Sequence, residues 1–359
     1  MKLCYLGDAN SIHTKKICYY FRDKGYEVSV ISLNYGKIDG VKVYSMDMKI
    51  DNQGSSMEKI FYLKNIIKIK KIINSIKPDI LHAHYATSYG FIGALMNYKP
   101  YIISLWGSDV YEFPKKSFIH KKILKYNLRK ANLVLSTSKS MANEAGKYTN
   151  KDILITPFGV NIDKFIPNQI IKNNNDIIIG TVKTLESNYG IDYLIRAFHI
   201  IKNKYKNLNI KLRIAGKGSK EEELKKLCKE LNIEENVEFL GFINQDDVAN
   251  MFNSLDIAVF PSIFESFGVA AVEAQACGVP VIVSDAPGLM EATNPGYSSL
   301  VFKKKDINDL ANKIEMLLEV NLRKSMGSNA RKYVEENYNY INNFNYIDNI
   351  YLSLLINKK

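Results

Sequence analysis

Cysteine and long apolar runs are scarce in this sequence. The chain of 359 residues has four widely separated cysteines, at positions 4, 18, 228 and 277, and no C-x-x-C pair. This usage excludes a disulfide scaffold and a cysteine zinc site, and it is typical of a reducing cytosol. No run reaches ~18 consecutive apolar residues, and the apolar stretch at the start is too short for a signal peptide. We therefore expect a cytoplasmic protein without a transmembrane helix.

Several motifs of common enzyme classes are also absent. There is no D-x-D string for a divalent-metal diphosphate clamp, and the five histidines form no H-x-x-x-H or His/Cys cluster for zinc. Strings of the G-x-x-x-x-G-K-[ST] and G-x-S-x-G types are missing, which disfavours P-loop and α/β-hydrolase chemistry. The G-x-G at 216–218 is followed by Glu221 where a dinucleotide fingerprint has its third glycine, which disfavours a dehydrogenase. We expect no metal.

Basic charge is abundant, and it is unevenly distributed. The net charge is +12, and residues 1–168 hold 26 basic against 13 acidic side chains, so the remainder is almost neutral. Such asymmetry indicates that the first half faces an anionic partner: nucleic acid, a membrane surface or a phosphorylated acceptor. The simpler alternative is charge that serves solubility.

Short apolar runs alternate with segments of helical periodicity along the chain. Runs without strict alternation are typical of parallel strands covered on both faces. The predicted strands are Lys2–Leu6, Glu27–Ser32, Val41–Tyr44, Ile80–Ala83, Tyr101–Leu105, Leu133–Ser136, Ile153–Thr156, Ile177–Val182, Ile210–Ala215, Val237–Leu240, Ile257–Phe260, Val281–Val283 and Ser299–Phe302. Pro167 and the polar run 171–176 indicate a linker. We therefore predict two doubly wound α/β domains, residues 1–167 and 168–339, facing each other across a cleft, with ligands bound at the carboxyl ends of the strands.

The segment 260–281, FPSIFESFGVAAVEAQACGVPV, is the most informative part of the sequence. A strand ends at a proline, and a helix is predicted to begin near Gly268. The amides of Phe267, Gly268 and Val269 would lie at its N-terminus, which is an anion site. Glu265 and Glu273 flank these amides, and eight helical steps span about 12 Å. Two carboxylates for hydroxyl groups on either side of a phosphate site suit a nucleotide sugar.

The same segment resembles the signature of family 4 glycosyltransferases, which are retaining enzymes of the GT-B fold. TPFGVNIDKF at 156–165 is similar to the stretch that closes their acceptor domain. Further similar blocks are LGDANSIHTK at 6–15, ILHAHYA at 80–86, SLWGSD at 104–109, IAGKG at 214–218 and FLGF at 239–242. The resemblance implies that the first domain binds the acceptor and the second the nucleotide sugar. It also implies that residues 340–359 form a helix that returns to the first domain.

For the second domain, the resemblance implies a basic pair, five residues apart, that holds the donor diphosphate. Lys183 fits the first position and Asn188 the second, although an amide donates only a neutral hydrogen bond. A shifted register would pair Thr184 with Tyr189 and leave neither residue basic. This departure from the family pattern bears on catalytic strength and leaves the fold unaffected.

The remaining donor residues follow from the same resemblance. Glu265 would approach the donor sugar, and Glu273 would bind the ribose hydroxyls. Gly216 and Phe242, in the blocks after the next two strands, complete the predicted donor site. The nucleoside-diphosphate sugar is a substrate, and no separate cofactor is implied.

For the first domain, the predicted acceptor residues lie in the loops after the strands. Asp8 and His13 follow the first strand, and His84 is the predicted catalytic residue of this domain, beside Lys183 and Glu265 of the second. Many relatives have a histidine at the position of Trp106, which can stack on a sugar but cannot transfer a proton. Asp109 is a further polar candidate. For His84, the alternative is a packed, structural histidine.

The segment 115–130, KKSFIHKKILKYNLRK, is a predicted helix with one apolar face and many lysines. One interpretation is a helix docked on its sheet with a solvated basic face. The other is an interfacial helix on anionic lipid, which suits an enzyme whose acceptor is lipid-linked. No pattern of a nucleic-acid-binding motif supports nucleic acid as the partner.

The sequence thus predicts a retaining glycosyltransferase for surface polysaccharide or glycolipid assembly, cytoplasmic and peripheral to the inner face of the cell membrane. Its partners would be a nucleotide sugar and a glycan or lipid-linked acceptor. Two alternatives stay open: a nucleotide-sugar epimerase of the same fold, and a nucleotide-sugar-binding subunit with weak or no catalysis.

Overall fold

The computed structural model describes residues 1–46, 56–168 and 176–356. The chain divides into two compact units: Met1–Phe158 together with Ile341–Lys359, and Gly159–Tyr340. The predicted linker residues 171–175 lie outside the described ranges.

The helices and strands of the first unit alternate along the chain. Its strands are β1 (Lys2–Leu6), β2 (Glu27–Ser32), β3 (Lys42–Ser45), β4 (Ile80–His84), β5 (Tyr101–Leu105), β6 (Leu133–Ser136) and β7 (Ile153–Ile155). Its helices are α1 (Ile12–Asp23), α2 (Ser56–Ile76), α3 (Ser88–Met96), α4 (Ser108–Tyr111), α5 (Phe118–Lys130) and α6 (Lys139–Ala145).

The second unit follows the same rhythm. Its strands are β8 (Asp176–Val182), β9 (Asn209–Ala215), β10 (Val237–Gly241), β11 (Ile257–Phe260), β12 (Val281–Ser284) and β13 (Ser299–Phe302). Its helices are α7 (Ile191–Lys204), α8 (Glu221–Glu230), α9 (Val248–Asn253), α10 (Val269–Ala276), α11 (Pro287–Ala292), α12 (Ile307–Met316) and α13 (Val320–Asn337), and α14 (Tyr340–Ile356) ends the described chain.

Both sheets are parallel, and in each sheet the order in which successive strands are added reverses once. The strand order is β3-β2-β1-β4-β5-β6-β7 in the first unit and β10-β9-β8-β11-β12-β13 in the second. The switch points therefore lie between β1 and β4, where Leu6 pairs with Ala83, and between β8 and β11, where Ile179 pairs with Ile257. The carboxyl ends beside a switch point form the crevice in which ligands bind in such sheets.

Buried strands and capped helices explain why these segments adopt this fold. The central strands are apolar and buried on both faces, as the runs without alternation predicted. The hydroxyl of Ser117 accepts from the N–H of His120 and so begins α5, and the carboxylate of Asp306 does the same for Asp309 in α12. The prediction of two parallel-sheet α/β domains is confirmed.

The boundary between the units differs from the predicted position after residue 167. The N–H of Val160 donates to Tyr338 (2.7 Å), and the N–H of Tyr340 donates to Val160 (3.2 Å). Phe165 is buried in the apolar core of the second unit. These contacts place residues 159–167 in the second unit, where the proline had indicated a linker.

Helix α14 belongs to the first unit through a buried polar network. The hydroxyl of Tyr351 bonds to Nδ1 of His82 (2.6 Å), and Asp348 accepts from the hydroxyl of Tyr26 (2.7 Å) and pairs with Lys24 (2.8 Å).

Among the described helices, none has both the length and the apolar character that crossing a bilayer requires.

Candidate active site

Lys183 and Glu265 meet at the switch point of the second sheet. Lys183 is the first residue after β8, and Glu265 lies in the loop after the neighbouring strand β11. The Lys183 Nζ donates to Oε2 of Glu265 in a short ion pair, and both side chains are largely buried. Because parallel strands end at the same edge, two residues that are 82 positions apart in sequence come into contact. The structure therefore brings two of the three predicted catalytic residues together.

The second position of the predicted basic pair lies apart from this ion pair. The side chain of Asn188 is exposed, while its carbonyl accepts from the N–H of Ile263 (2.9 Å) and so ties the two loops together. Its neighbour Tyr189 contacts the lysine instead, with Nζ of Lys183 4.3 Å from the ring centroid. The sequence did not single out this cation–π contact.

Glycine allows the loops after β8 and β9 to touch. Gly216 has φ +139°, and a Cβ at this position would lie 1.9 Å from the carbonyl oxygen of Lys183. Its N–H donates to Gly241 (2.7 Å), the last residue of β10. The next residue, Phe242, has a largely exposed ring. Any larger residue at 216 would therefore displace the backbone that carries Lys183.

Helix α10 begins beside the ion pair. Gly268 is its N-cap residue, with φ +96°, and a Cβ there would lie 2.7 Å from Cδ2 of Leu289. The first N–H groups of a helix have no carbonyl partner within it, so those of Gly268 and Val269 are donors for an anion, and Phe267 lies one residue before the cap. The Phe267 ring is buried against Tyr338, so only its backbone can serve a ligand.

Glu273 lies in the second turn of α10 and is buried, with a relative exposure of 7%. Its Oε1 accepts from Nε2 of Gln245 (3.3 Å), a residue between β10 and α9. This contact links α10 to the loop that carries Phe242. Gln245 had no signal in the sequence, because its partner lies 28 residues away on another element.

An open pocket of about 470 Å³ lies at the carboxyl ends of the strands in the first unit. Its lining includes four predicted acceptor residues: Asp8, His13, His84 and Trp106. Asp8 lies in the loop after β1, His13 in the first turn of α1, His84 at the end of β4 and Trp106 directly after β5, on both sides of the switch point between β1 and β4. The structure therefore brings together predicted residues from three separate sequence blocks.

Asp109 does not line this pocket. Its buried carboxylate accepts from the backbone N–H groups of Ala86 (2.9 Å), Gly107 (2.8 Å) and Trp106 (3.2 Å). Burial raises the pKa of Asp109, and these hydrogen bonds oppose the rise. The residue holds the loops after β4 and β5 together and thereby fixes the pocket wall.

Aromatic rings hold the two histidines of the pocket in place. His13 stacks on Phe158, with ring centroids 3.8 Å apart, and His84 lies 4.5 Å from Trp106. Nδ1 of His84 is 3.2 Å from the hydroxyl of Thr14. Burial, helped by Lys16, lowers the pKa of His13 to about 3, and burial lowers the pKa of His84 well below its usual value. Both rings are therefore neutral at pH 7 and suit hydrogen bonding better than proton abstraction.

Three buried polar atoms converge on a small cavity beneath this pocket. Nδ1 of His13, Nε2 of His84 and Oγ1 of Thr137 have no hydrogen-bond partner among the described residues. All three residues line a cavity of about 20 Å³, which has room for one water-sized group. Thr137 follows β6, and no sequence motif pointed to this residue.

Within the described part of the chain, no cluster of three or more histidine, cysteine or acidic side chains is placed to hold a metal ion. At the switch point of the second sheet, a lysine and a carboxylate form an ion pair. Their chemistry is that of a site for a phosphate and a hydroxyl-bearing ligand.

Two family models match this chain. The model described as glycosyl transferases group 1 matches residues 163–333, and the one described as glycosyl transferase 4-like matches residues 2–138. The predicted donor residues and the predicted acceptor residues therefore lie within the matched regions.

Known proteins match over most of their length. A glycosyltransferase of Methanocaldococcus jannaschii is 31% identical over 280 residues, which are 76% of this chain and 76% of that protein. The N,N'-diacetylbacillosaminyl-diphospho-undecaprenol alpha-1,3-N-acetylgalactosaminyltransferase of Campylobacter jejuni is 26% identical over 302 residues, 78% of this chain and 80% of that protein. Anabaena HepE, solved in complex with UDP, shares the fold with a TM-score of 0.80 at 19% identity, covering 98% of this chain and 100% of that one.

Proposed function

Because this chain belongs to the group 1 glycosyltransferases of the family 4 type and has their GT-B fold, we propose that it moves a sugar from a nucleoside diphosphate to an acceptor hydroxyl with retained configuration. The observation that carries the proposal is the ion pair of Lys183 and Glu265 beside the N-terminus of α10. A lysine and a helix end together suit a diphosphate, and the adjacent carboxylate suits sugar hydroxyls.

In this proposal the donor replaces one partner of the ion pair. The diphosphate takes the Nζ of Lys183 and the amides at the start of α10, and Glu265 turns to the donor sugar. Glu273, one turn further along α10, binds the ribose hydroxyls, and Phe242 and Gly216 border the nucleoside. The UDP complex of HepE supports a nucleoside diphosphate as a ligand of this fold.

The chemistry proposed is attack from the face that the diphosphate leaves. The bond from the sugar carbon to the diphosphate oxygen breaks, the bond to the acceptor oxygen forms, and the acceptor proton passes to the leaving diphosphate. Lys183 and the helix amides stabilise the negative charge that develops on the leaving diphosphate. Acceptor residues of the first unit hold the acceptor hydroxyl in place. The neutral rings of His13 and His84 serve as hydrogen-bonding groups in this scheme.

The acceptor that we propose is a lipid-linked glycan at the inner face of the cell membrane. The excess of basic residues in the first half and the exposed lysines of α5 support an anionic surface as a partner. The Campylobacter relative, whose name specifies an undecaprenol diphosphate acceptor, supports the same class. Surface polysaccharide or glycolipid assembly is the process that fits such an acceptor.

A thermal-shift panel of UDP, GDP, ADP and dTDP tests the donor site. A ligand that binds the native state at about 100 times its dissociation constant stabilises the fold by about 2.7 kcal/mol. We expect one nucleotide to raise the melting temperature by several degrees and the others to do less. No shift with any of the four would contradict the proposal.

A nucleotide-sugar-binding subunit with weak catalysis is the second candidate. The exposed side chain of Asn188, in the position of the second basic residue, favours it. This candidate predicts nucleotide binding without transfer to any acceptor, so turnover measured after a positive thermal shift separates the two functions.

A further inference from the structure

A basic groove lies in the first unit, away from the acceptor pocket. We define the basic groove by the residues of α5 and of the segment after α6 that line it, which include Lys122, Lys125, Arg129, Lys147 and Lys151. The groove is open to solvent and has a volume of about 760 Å³, and none of the described residues that line it is acidic. A basic groove of this size is complementary to phosphate groups.

Two of these cations already have partners within the protein. Lys147 pairs with Glu144 (2.6 Å), and the Nζ of Lys151 donates to the carbonyls of Arg129 (2.9 Å) and Ala131 at the end of α5. Lys151 therefore stabilises the C-terminus of α5, where cations are favourable.

The other three cations form no ion pair within the described part of the chain. Lys122, Lys125 and Arg129 are exposed along one side of α5. Their spacing of three and four residues keeps them on one helix face. Three uncompensated charges on one rigid face are available to an anionic surface.

An apolar tip stands at the start of the same helix. Phe118 is 69% exposed and Ile119 is 67% exposed, whereas Leu124 and Leu128 of the same helix are buried. The apolar face predicted from the sequence is thus only partly used in docking α5 onto its sheet. The Nζ of Lys122 lies 4.5 Å from the ring centroid of Phe118, which joins the tip to the basic groove.

We propose that the basic groove and the apolar tip together are the docking surface for an anionic membrane. Lipid phosphates enter the groove against Lys122, Lys125 and Arg129, and Phe118 and Ile119 enter the boundary between headgroups and acyl chains. Charge alone would also suit free phosphate, but a soluble phosphate has no use for two exposed apolar side chains beside its site. The inference deepens the proposed function, since it rests on a lipid-linked acceptor and names the surface that reaches it.

Sedimentation with vesicles tests this surface on the full chain. The vesicles consist of equal parts of phosphatidylcholine and phosphatidylglycerol, with pure phosphatidylcholine as the neutral reference. Each basic residue near an anionic surface contributes roughly a fivefold factor in partition, so the triple variant Lys122→Gln/Lys125→Gln/Arg129→Gln should bind about 100-fold more weakly. The double variant Phe118→Ser/Ile119→Ser should lose about tenfold or more, because two apolar insertions are removed.

The matched control removes three charges elsewhere. Lys206, Lys304 and Lys324 are exposed residues of the second unit, and their triple glutamine variant has the same net charge as the groove variant. We expect this control to bind the vesicles within twofold of the unmodified chain. Unchanged binding of the groove variant, or an equal loss in the control, would overturn the proposal.

Two further measurements separate the sources and the functions. Inorganic phosphate, added at constant ionic strength, should not release the protein from vesicles, and release would assign the groove to free phosphate. The nucleotide thermal shift should be the same in the groove variant and the unmodified chain, which also shows that the variant folds. Vesicle binding without any nucleotide shift would refute the proposed transfer function while leaving the docking surface intact.

Discussion

Replacing Lys183 with glutamine should weaken nucleotide binding, and the structure sets the size of the effect. The Nζ is held by Glu265 and the Tyr189 ring, with the lysine side chain only 16% exposed, so its charge is little screened. A charge pair at 4 Å in an effective dielectric of 20 is worth at most about 4 kcal/mol. Charge-assisted hydrogen bonds measured by substitution contribute about 1.5 to 3 kcal/mol. We expect a loss of about 2 to 3 kcal/mol, or roughly 30- to 150-fold in nucleotide affinity.

The partner of the lysine makes the prediction sharper. In Lys183→Gln the carboxylate of Glu265 remains without its cation and faces the diphosphate, and two like charges about 10 Å apart repel by roughly 1 to 2 kcal/mol. The double variant Lys183→Gln/Glu265→Gln should therefore bind nucleotide several-fold more tightly than the single variant. Glu265→Gln alone should bind the nucleoside diphosphate at least as tightly as the unmodified chain, because the same repulsion is relieved, and should lose transfer, because the role of Glu265 lies with the sugar.

Isothermal titration with the nucleotide selected by the thermal-shift panel measures all four forms. Lys211→Gln is the matched control, since Lys211 on β9 pairs with Asp176 (2.9 Å) at the opposite end of β8 from Lys183. Its nucleotide affinity should equal that of the unmodified chain. Binding of Lys183→Gln within twofold of the unmodified chain would contradict a diphosphate contact of Lys183, and a double variant that binds no better than the single one would contradict the repulsion by Glu265.

Three other changes have defined outcomes. Glu273→Ala should lower nucleotide affinity tenfold or more by titration, because it removes hydrogen bonds to a buried charged acceptor worth about 1.5 to 3 kcal/mol, whereas Glu238→Ala, an exposed carboxylate, should not change it. Gly216→Ala should reduce nucleotide affinity in the same assay, since its Cβ would displace the carbonyl of the preceding loop; wild-type affinity would show that this loop is tolerant. Because burial lowers the pKa of His82 to about 3, its unfolded form takes up a proton below about pH 6.5 and its folded form does not. Urea unfolding followed by the fluorescence of Trp106 should therefore show that the free energy of unfolding decreases as the pH is lowered from about 6.5 to 3. In His82→Asn the slope of this dependence should be smaller by about 1.4 kcal/mol per pH unit. An unchanged slope would mean that the ring titrates normally.

The fold was predictable because burial acts on the sequence locally. Strands such as Ile257–Phe260 and Tyr101–Leu105 are continuous apolar runs, and their observed bounds equal the predicted ones. Proline marks one edge of each run, since Pro261 follows the first and Pro100 precedes the second. The pattern also locates the carboxyl end of β8, where Lys183 lies, whereas the role of Lys183 was implied by the resemblance to family 4 glycosyltransferases.

Contacts between residues that are far apart in the sequence could not be predicted. The ion pair between Lys183 and Glu265 depends on which strands are neighbours in the sheet. The hydrophobic periodicity of the sequence does not determine this strand order. The stacking of His13 on Phe158 likewise joins two loops that only the folded sheet brings together. For Asp109, the sequence showed a polar residue in a loop but not the three backbone N–H groups that its carboxylate accepts from.

Helix α5 shows the same limit in another form. Its spacing predicts one apolar face, and Leu124 and Leu128 are buried on it as expected. In the first turn of the helix, however, Phe118 and Ile119 remain exposed. Periodicity gives the direction of a side chain, whereas the neighbouring element decides whether anything covers it.

The most direct measurement of the central claim is the release of nucleoside diphosphate from a nucleotide sugar, with and without a polyprenyl-diphosphate-linked sugar as acceptor. We predict release that requires the acceptor, a product whose anomeric configuration by NMR equals that of the donor, and loss of both in Lys183→Gln. Release at the same rate without acceptor would indicate hydrolysis or epimerisation and would contradict the proposed transfer.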